Sequence, residues 1–126
     1  MASNFVDLII EKGMDKVNIS MLDEKNRKMI LGDAGSQLVR MGKFEDGVKA
    51  LTLAGEKEKL IKLAEDFVKE KQIRLAALAI ENSGDIARIE AVAAECVNLG
   101  LMAEALKLYK AAGNEMMANF VLENFK

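Results

Sequence analysis

Residues 101–113 read LMAEALKLYKAAG, an amphipathic helical segment that stops at a glycine. Similar segments stop at glycine in LAIENSG (residues 78–84) and ALTLAG (residues 50–55), so Gly55, Gly84 and Gly113 recur every 29 residues. Glycine ends helices readily because it adopts the left-handed backbone conformation without steric cost. The constant interval predicts a repeated helical unit rather than three unrelated helix ends.

The repeat extends over most of the chain, because residues 27–55, 56–84 and 85–113 align without a gap. The aligned columns are Leu31/Leu60/Ile89, Ala34/Leu63/Val92, Gly35/Ala64/Ala93, Leu38/Phe67/Cys96, Val39/Val68/Val97, Phe44/Ile73/Met102, Gly47/Ala76/Ala105 and Leu51/Ile80/Tyr109. The two columns of small residues allow two helices to approach closely. Each repeat is therefore predicted to be a helix, a tight turn and a second helix, which buries its apolar face against neighbouring hairpins.

Helix signals occur along the whole chain, which has no proline and is rich in good helix formers. Apolar residues recur at three- and four-residue spacing, and the alternation expected of strands never persists. Helices are predicted near residues 4–12, 20–41, 44–54, 57–70, 73–83, 86–99, 102–112 and 115–125. Ser20 with Asp23 is predicted to form a capping box, and Asp85 and Asn114 are predicted N-caps.

Length and composition favour one domain over residues 1–126, with an N-terminal cap (1–26), three repeats and a C-terminal helix (114–126). The 18 basic and 20 acidic residues are interspersed. Because a nucleic-acid-binding surface clusters Lys and Arg, we do not expect nucleic acid as a partner. No segment approaches the roughly 20 apolar residues of a membrane-spanning helix, so no membrane insertion is expected. The first residues, MASNFVDLIIEKGMDK, lack the basic start of a signal peptide. A single cysteine, Cys96, indicates a reducing compartment, and the cytoplasm is the expected location.

The residue types of conventional catalytic sites are scarce in this chain. There is no histidine, and Cys96 belongs to a core column, where a thiol usually acts as a small apolar group. The segment Ile30–Ser36, ILGDAGS, does not match a phosphate-binding loop. We therefore expect neither catalytic activity nor a cofactor or metal site.

The repeat resembles the tetratricopeptide repeat. Residues 93–113 carry the pattern best, with Ala93, Cys96, Gly100, Ala105, Tyr109 and Ala112, while Lys71 stands where a glycine-like turn residue is usual in the second repeat. The period of 29 is shorter than the family's about 34 residues, and the usual proline is missing. In these respects the chain also resembles the shorter hairpins of clathrin-heavy-chain and coatomer-type solenoids. The resemblance implies a right-handed α-solenoid of stacked antiparallel helix pairs.

In such solenoids the first helices line a concave groove that receives a peptide or helix, so the resemblance implies a protein-binding adaptor or scaffold. The implied groove residues are Met29, Ser36, Arg40, Glu58, Glu65, Lys69, Glu90 and Asn98. Arg40, Lys69 and Asn98 share a column that could clamp a carboxylate, but neighbouring glutamates make such a clamp improbable. A mixed apolar and charged groove suits an amphipathic helix better.

The C-terminal segment NEMMANFVLENFK has apolar residues on more than one face. Docking through Met117, Val121 and Phe125 would leave Met116 and Phe120 with little to bury them. One interpretation is that neighbouring elements cover both faces. The other is an interface, either with a partner or with a second copy in a self-assembling structural module.

Overall fold

The computed structural model describes the backbone of residues 2–124 and the side chains of residues 5–124, and this part of the chain is all-α without a strand. Its helices are α1 (Ala2–Lys12), α2 (Glu24–Arg40), α3 (Phe44–Ala54), α4 (Lys57–Lys69), α5 (Ile73–Ile80), α6 (Ile86–Asn98), α7 (Met102–Ala111) and α8 (Glu115–Asn124). A 3-10 turn, Met14–Lys16, follows α1. The all-α prediction is confirmed.

Two predicted helix ends differ from the structure by three or four residues, and both errors come from local hydrogen bonding. Helix α2 begins at Glu24 rather than at residue 20, because Asp23 Oδ1 accepts the backbone N–H of Asn26 at 2.8 Å while the Ser20 hydroxyl donates to Asn18 Oδ1. Helix α5 ends at Ile80 rather than at residue 83, because the Ser83 N–H donates to the Ile80 carbonyl in a turn. The predicted end of α8 at Phe125 lies outside the described residues.

The turns that follow the helices reproduce the 29-residue interval in backbone geometry. Left-handed φ values occur at Gly42 (81°), Lys71 (62°) and Gly100 (76°) after the first helices, and at Gly55 (72°), Gly84 (77°) and Gly113 (74°) after the second helices. After α6, for example, the Leu101 N–H donates to the Cys96 carbonyl at 2.7 Å, which satisfies an otherwise unpaired carbonyl of the last turn. The glycine spacing in the sequence is therefore a spacing of the left-handed turns between helices.

One compact unit comprises residues 1–56 and contains α1, α2 and α3. Helix α2 packs on both α1 and α3. The core between α1 and the hairpin is apolar and consists of Val6, Ile9, Ile30, Leu31, Ala34 and Ala54. Helices α2 and α3 approach closely at Gly35, where an added Cβ would lie 2.8 Å from Leu51 Cγ. The small columns of the repeat are thus points of helix crossing in this hairpin.

The second compact unit comprises residues 57–126 and contains α4 to α8, with the boundary one residue from the predicted limit of the first repeat. Helix α4 packs on α5, α5 on α6, α6 on α7 and α7 on α8. Its largest fully buried side chains are those of Leu60, Ile80, Ile89, Leu108, Val121 and Cys96. Four of them occupy apolar columns of the repeat, so the alignment identified core positions correctly.

Candidate functional site

An open groove of about 280 Å³ lies within the second unit, between the first helices of its two hairpins. It is lined by Ala64, Glu65, Val68 and Lys69 of α4, by Ile80 of α5, and by Arg88, Ala91 and Val92 of α6. Ile80 is buried, whereas Val68 is 37% exposed and Ala91 is exposed. The groove therefore offers apolar surface that solvent and a ligand can reach.

Helical spacing explains why these residues line the same space. Residues 64, 65, 68 and 69 lie on one side of α4, since positions four apart are neighbours on a helix surface. The same spacing brings Arg88, Ala91 and Val92 together on α6. Because Ala64 and Ala91 have short side chains, the space between the two helices remains open.

A network of ion pairs lies along one edge of the groove. Asp85 caps α6 by accepting the backbone N–H of Arg88 at 3.1 Å, and it also accepts Arg88 Nη1–H at 2.7 Å. Arg88 Nε lies 3.8 Å from Glu65 Oε1, which links α6 to α4. The backbone and side-chain hydrogen bonds from Arg88 lower the pKa of Asp85, and the bond to Asp85 raises the pKa of Arg88. The charge of Arg88 is therefore shared between two carboxylates of the same chain.

Lys69 presents a different kind of charge at the groove. Its side chain is exposed at the last turn of α4. Among the described residues no carboxylate forms an ion pair with it. Lys69 is thus a cation at the groove that is available to a carboxylate of a ligand.

The predicted groove residues do not form one cluster. The structure brings Glu65 and Lys69 together in the groove, while Glu58 and Asn98 are exposed on α4 and α6 without lining it. Glu90 is partly buried and accepts a hydrogen bond from Asn114 Nδ2. Met29, Ser36 and Arg40 lie on α2 in the first unit, where Met29 is 47% exposed and Ser36 is partly buried.

Sequence reasoning missed Arg88, Ala91 and Val92, because it assigned the same columns of every first helix to the groove. A groove between two neighbouring helices is instead lined by opposite flanks of the two helices. Helix α4 contributes the flank with Glu65 and Lys69, and α6 contributes the flank with Arg88. These residues would have been found if the groove positions of α6 had been taken from the flank that faces α4, rather than from the same repeat columns as in α4.

The outer face of α8 is a second exposed apolar surface. Ala118 and Val121 are buried, whereas Met116 is 76% exposed and Phe120 is 48% exposed. Met116 and Phe120 are four residues apart and are therefore neighbours on the helix surface. The structure exposes both residues that the sequence analysis named as poorly buried, and it also exposes Leu122 of the same helix.

The chemistry available in the described part of the chain is that of binding groups. Cys96 is fully buried, and burial together with Glu104 and Glu95 raises the pKa of its thiol to about 11. Within residues 5–124 no three Cys, Asp or Glu side chains come together as a metal site. No described helix is long and apolar enough to cross a membrane.

Comparisons with known proteins do not indicate a function for this chain. No protein-family model, no curated protein and no solved structure matches this chain. The groove and the exposed face of α8 are therefore the observations from which a function has to be argued.

Proposed function

We propose that this protein is an interaction module that binds a segment of a partner protein in the groove between α4 and α6. The observation that carries the proposal is the groove itself, which combines a buried apolar floor at Ile80 with exposed Val68 and with Lys69, a cation that forms no ion pair with a described carboxylate. Apolar grooves with a few polar groups at the edge are the usual form of ligand sites. The module is proposed to act as an adaptor or scaffold, without catalytic activity of its own.

The groove chemistry defines the partner segment that we propose. An amphipathic helix would insert a bulky apolar side chain above Ile80 and contact Val68 and Ala91 with its flanks. A carboxylate one turn away on that helix would pair with Lys69. Arg88 would keep its hydrogen bond to Asp85 and its ion pair with Glu65, and these two carboxylates would compete with a ligand carboxylate for its charge.

We further propose that the three hairpins are tetratricopeptide-like repeats of one right-handed α-solenoid. Left-handed turns recur at 29-residue intervals after both the first and the second helices, which supports a common hairpin design. The pairing of α2 with α3, α4 with α5 and α6 with α7 agrees with it. The cytoplasm is the proposed location, and the unpaired, buried Cys96 is compatible with a reducing compartment.

Selection of peptides tests the binding proposal. A phage-displayed library of helical peptides would be selected on the immobilised full chain, and the Kd of each enriched peptide would be measured by fluorescence anisotropy. We expect enriched peptides to share a bulky apolar residue with an acidic residue about one turn away. Lys69→Glu should weaken these peptides, since it replaces attraction with repulsion.

A matched pair of variants identifies the binding surface. Ala91→Trp fills the groove and should raise the Kd at least about tenfold. Ala94→Trp adds the same ring to an exposed position of α6 that does not line the groove, and it should leave the Kd within about twofold. Peptides that bind Ala91→Trp as tightly as the wild type, or a library that yields none, would refute the proposed site.

A self-assembling structural module is the second candidate, and the exposure of Met116 and Phe120 favours it. Exposed apolar patches commonly mark interfaces, and methionine adapts to varied partners. Analytical ultracentrifugation of the wild type should then show an association that increases with concentration. The double variant Met116→Lys/Phe120→Lys should stay monomeric, while a wild type that is monomeric at all concentrations would contradict this function.

A further inference from the structure

The two cations that line the α4–α6 groove differ in how the chain pairs them. Lys69 forms no ion pair with a described carboxylate, whereas Arg88 lies between two. Arg88 Nη1 donates to Asp85 Oδ2 at 2.7 Å, and Arg88 Nε lies 3.8 Å from Glu65 Oε1. We call these three side chains the Arg88 cluster. One positive and two negative charges leave the cluster with a net negative charge.

Glu65 is the residue that makes the two cations unequal. It precedes Lys69 by four residues on α4, which is the favoured order for an ion pair within a helix. The structure instead pairs Glu65 with Arg88 of α6. Glu65 thereby offsets the charge of Arg88 and leaves that of Lys69 available to a ligand.

The Arg88 cluster and Lys69 lie about one helical turn apart along the groove. Four residues of an α-helix rise about 6 Å, and side chains at positions i and i+4 of a bound helix have the same spacing. A ligand carboxylate beside Lys69 therefore places a ligand residue four positions away near the Arg88 cluster. A second carboxylate at that position would meet net negative charge, whereas a basic or uncharged side chain would not be repelled.

We propose that Glu65 determines the charge specificity of the groove, and that it selects helices with one acidic residue on the binding face and a basic or uncharged residue one turn away from it. The inference rests on the proposed binding of an amphipathic helix between α4 and α6. Glu65 acts in two ways, because it repels a second ligand carboxylate and also occupies Arg88. Without the charge of Glu65, Arg88 would keep only Asp85, and the groove would accept two acidic residues one turn apart.

The test compares one peptide library on three forms of the full chain. The library displays helical peptides of about four turns, with leucine fixed along one face and with Glu, Gln or Lys allowed at the positions beside it. It would be selected on the wild type, on Glu65→Gln and on Glu58→Gln. Glu58 is the matched control, because it is an exposed glutamate of α4 that does not line the groove and forms no ion pair with a described residue.

The charge pattern of the enriched peptides is the first result. On the wild type and on Glu58→Gln we expect one Glu with Lys or Gln one turn away. On Glu65→Gln we expect a second Glu at that position. Only peptides whose binding Ala91→Trp abolishes would be compared, since that variant fills the groove.

The Kd of a peptide pair gives the size of the effect. The two peptides would differ only in Glu or Gln at the position one turn from the shared Glu, and fluorescence anisotropy would measure their binding. The wild type should bind the Gln form about three- to fivefold more tightly, a modest factor because the side chains of Glu65 and Arg88 are 51% and 52% exposed. Glu65→Gln should remove this preference, Glu58→Gln should keep it, and added salt should reduce it.

The failure of this inference can be distinguished from the failure of the proposed function. Peptides that bind in the groove with the same charge pattern on all three chains would overturn the role of Glu65 and leave the proposed function in place. An effect of Glu58→Gln as large as that of Glu65→Gln would also overturn it, because total charge would then decide the specificity. A library that yields no ligand would refute the proposed function and this inference with it. Circular dichroism would verify that both variants keep the helical content of the wild type.

Discussion

Gly35 and Gly47 face each other where α2 crosses α3, and their backbones are almost in contact. A Cβ added at Gly35 would lie 3.0 Å from the carbonyl oxygen of Gly47, and one added at Gly47 would lie 3.1 Å from that of Gly35. Backbone atoms cannot move aside as a flexible side chain can. The closeness of this hairpin therefore depends on the absence of two side chains.

Gly35→Ala should destabilise the protein by about 1–2 kcal/mol, because overpacking costs about 1–3 kcal/mol and the gain in helix propensity returns up to about 1 kcal/mol. Urea unfolding followed by circular dichroism measures the change in the free energy of unfolding. Gly32→Ala is the control in the same helix. Its Cβ would lie 3.2 Å from Glu56 Oε1, at the end of a mobile side chain, so it should stabilise by up to about 1 kcal/mol. Stabilisation by both variants would refute the tight crossing.

Lys71 adopts φ = 62° in the column of Gly42 and Gly100, where the backbone is left-handed. Lys71→Gly should raise the free energy of unfolding by about 0.5–1 kcal/mol. Removal of the Cβ relieves the strain of the left-handed backbone in the folded state. This gain should exceed the loss that comes from the greater conformational freedom of glycine in the unfolded state. The reverse change, Gly100→Lys, should destabilise by a similar amount. Thermal denaturation would measure both. A destabilising Lys71→Gly would mean that the lysine side chain contributes more than the backbone strain costs.

Tyr109 is 5% exposed and occupies the column of Leu51 and Ile80, both of which are buried. Tyr109→Ala should cost about 3–5 kcal/mol, as truncation of a buried aromatic side chain usually does. Tyr109→Phe keeps the ring and should change the free energy of unfolding by less than about 1 kcal/mol. Chemical denaturation of the two variants separates packing from hydroxyl effects. A Tyr109→Ala variant as stable as the wild type would show that the 29-residue register is misassigned.

Cys96 should react slowly with a thiol-specific dye in the native protein, because its side chain is fully buried and its pKa is raised to about 11. Urea should accelerate labelling in parallel with unfolding. The folded pKa exceeds the ordinary value of 9.0, so the protonated thiol favours the folded state below pH 9. That contribution should be lost as the pH rises from about 9 towards 11. The matched control, Cys96→Ala with Ala103→Cys, has an exposed thiol and should label at once. Equal labelling rates would disprove the burial.

The sequence was most informative where glycine and core periodicity act locally. The turns at Gly55, Gly84 and Gly113 follow from the conformational freedom of glycine, and the buried columns follow from helical spacing. The two wrong helix ends have local causes. Asp23, and not Ser20, is the N-cap of α2, and α5 ends in a turn before Ser83. Neither outcome can be read from residue types alone, since both Ser and Asp cap helices well.

The groove was harder to predict because it depends on which flanks of two helices meet. Glu65 and Lys69 were found from a single helix, whereas Arg88 and Ala91 line the groove because α6 presents its opposite flank. The ion pair between Arg88 and Glu65 joins residues 23 positions apart, and helical periodicity gives no information at that distance. Tertiary geometry was needed to assemble the site.

The helix pairs also determine how quickly this chain can fold. In each unit a helix packs mainly on the helix that precedes or follows it, so native contacts close loops of a few tens of residues or fewer. The entropy lost on closing such loops is small, and proteins dominated by local contacts fold in microseconds to milliseconds. Each left-handed turn reverses the chain so that the next helix packs on the one before it, and this shortens the conformational search.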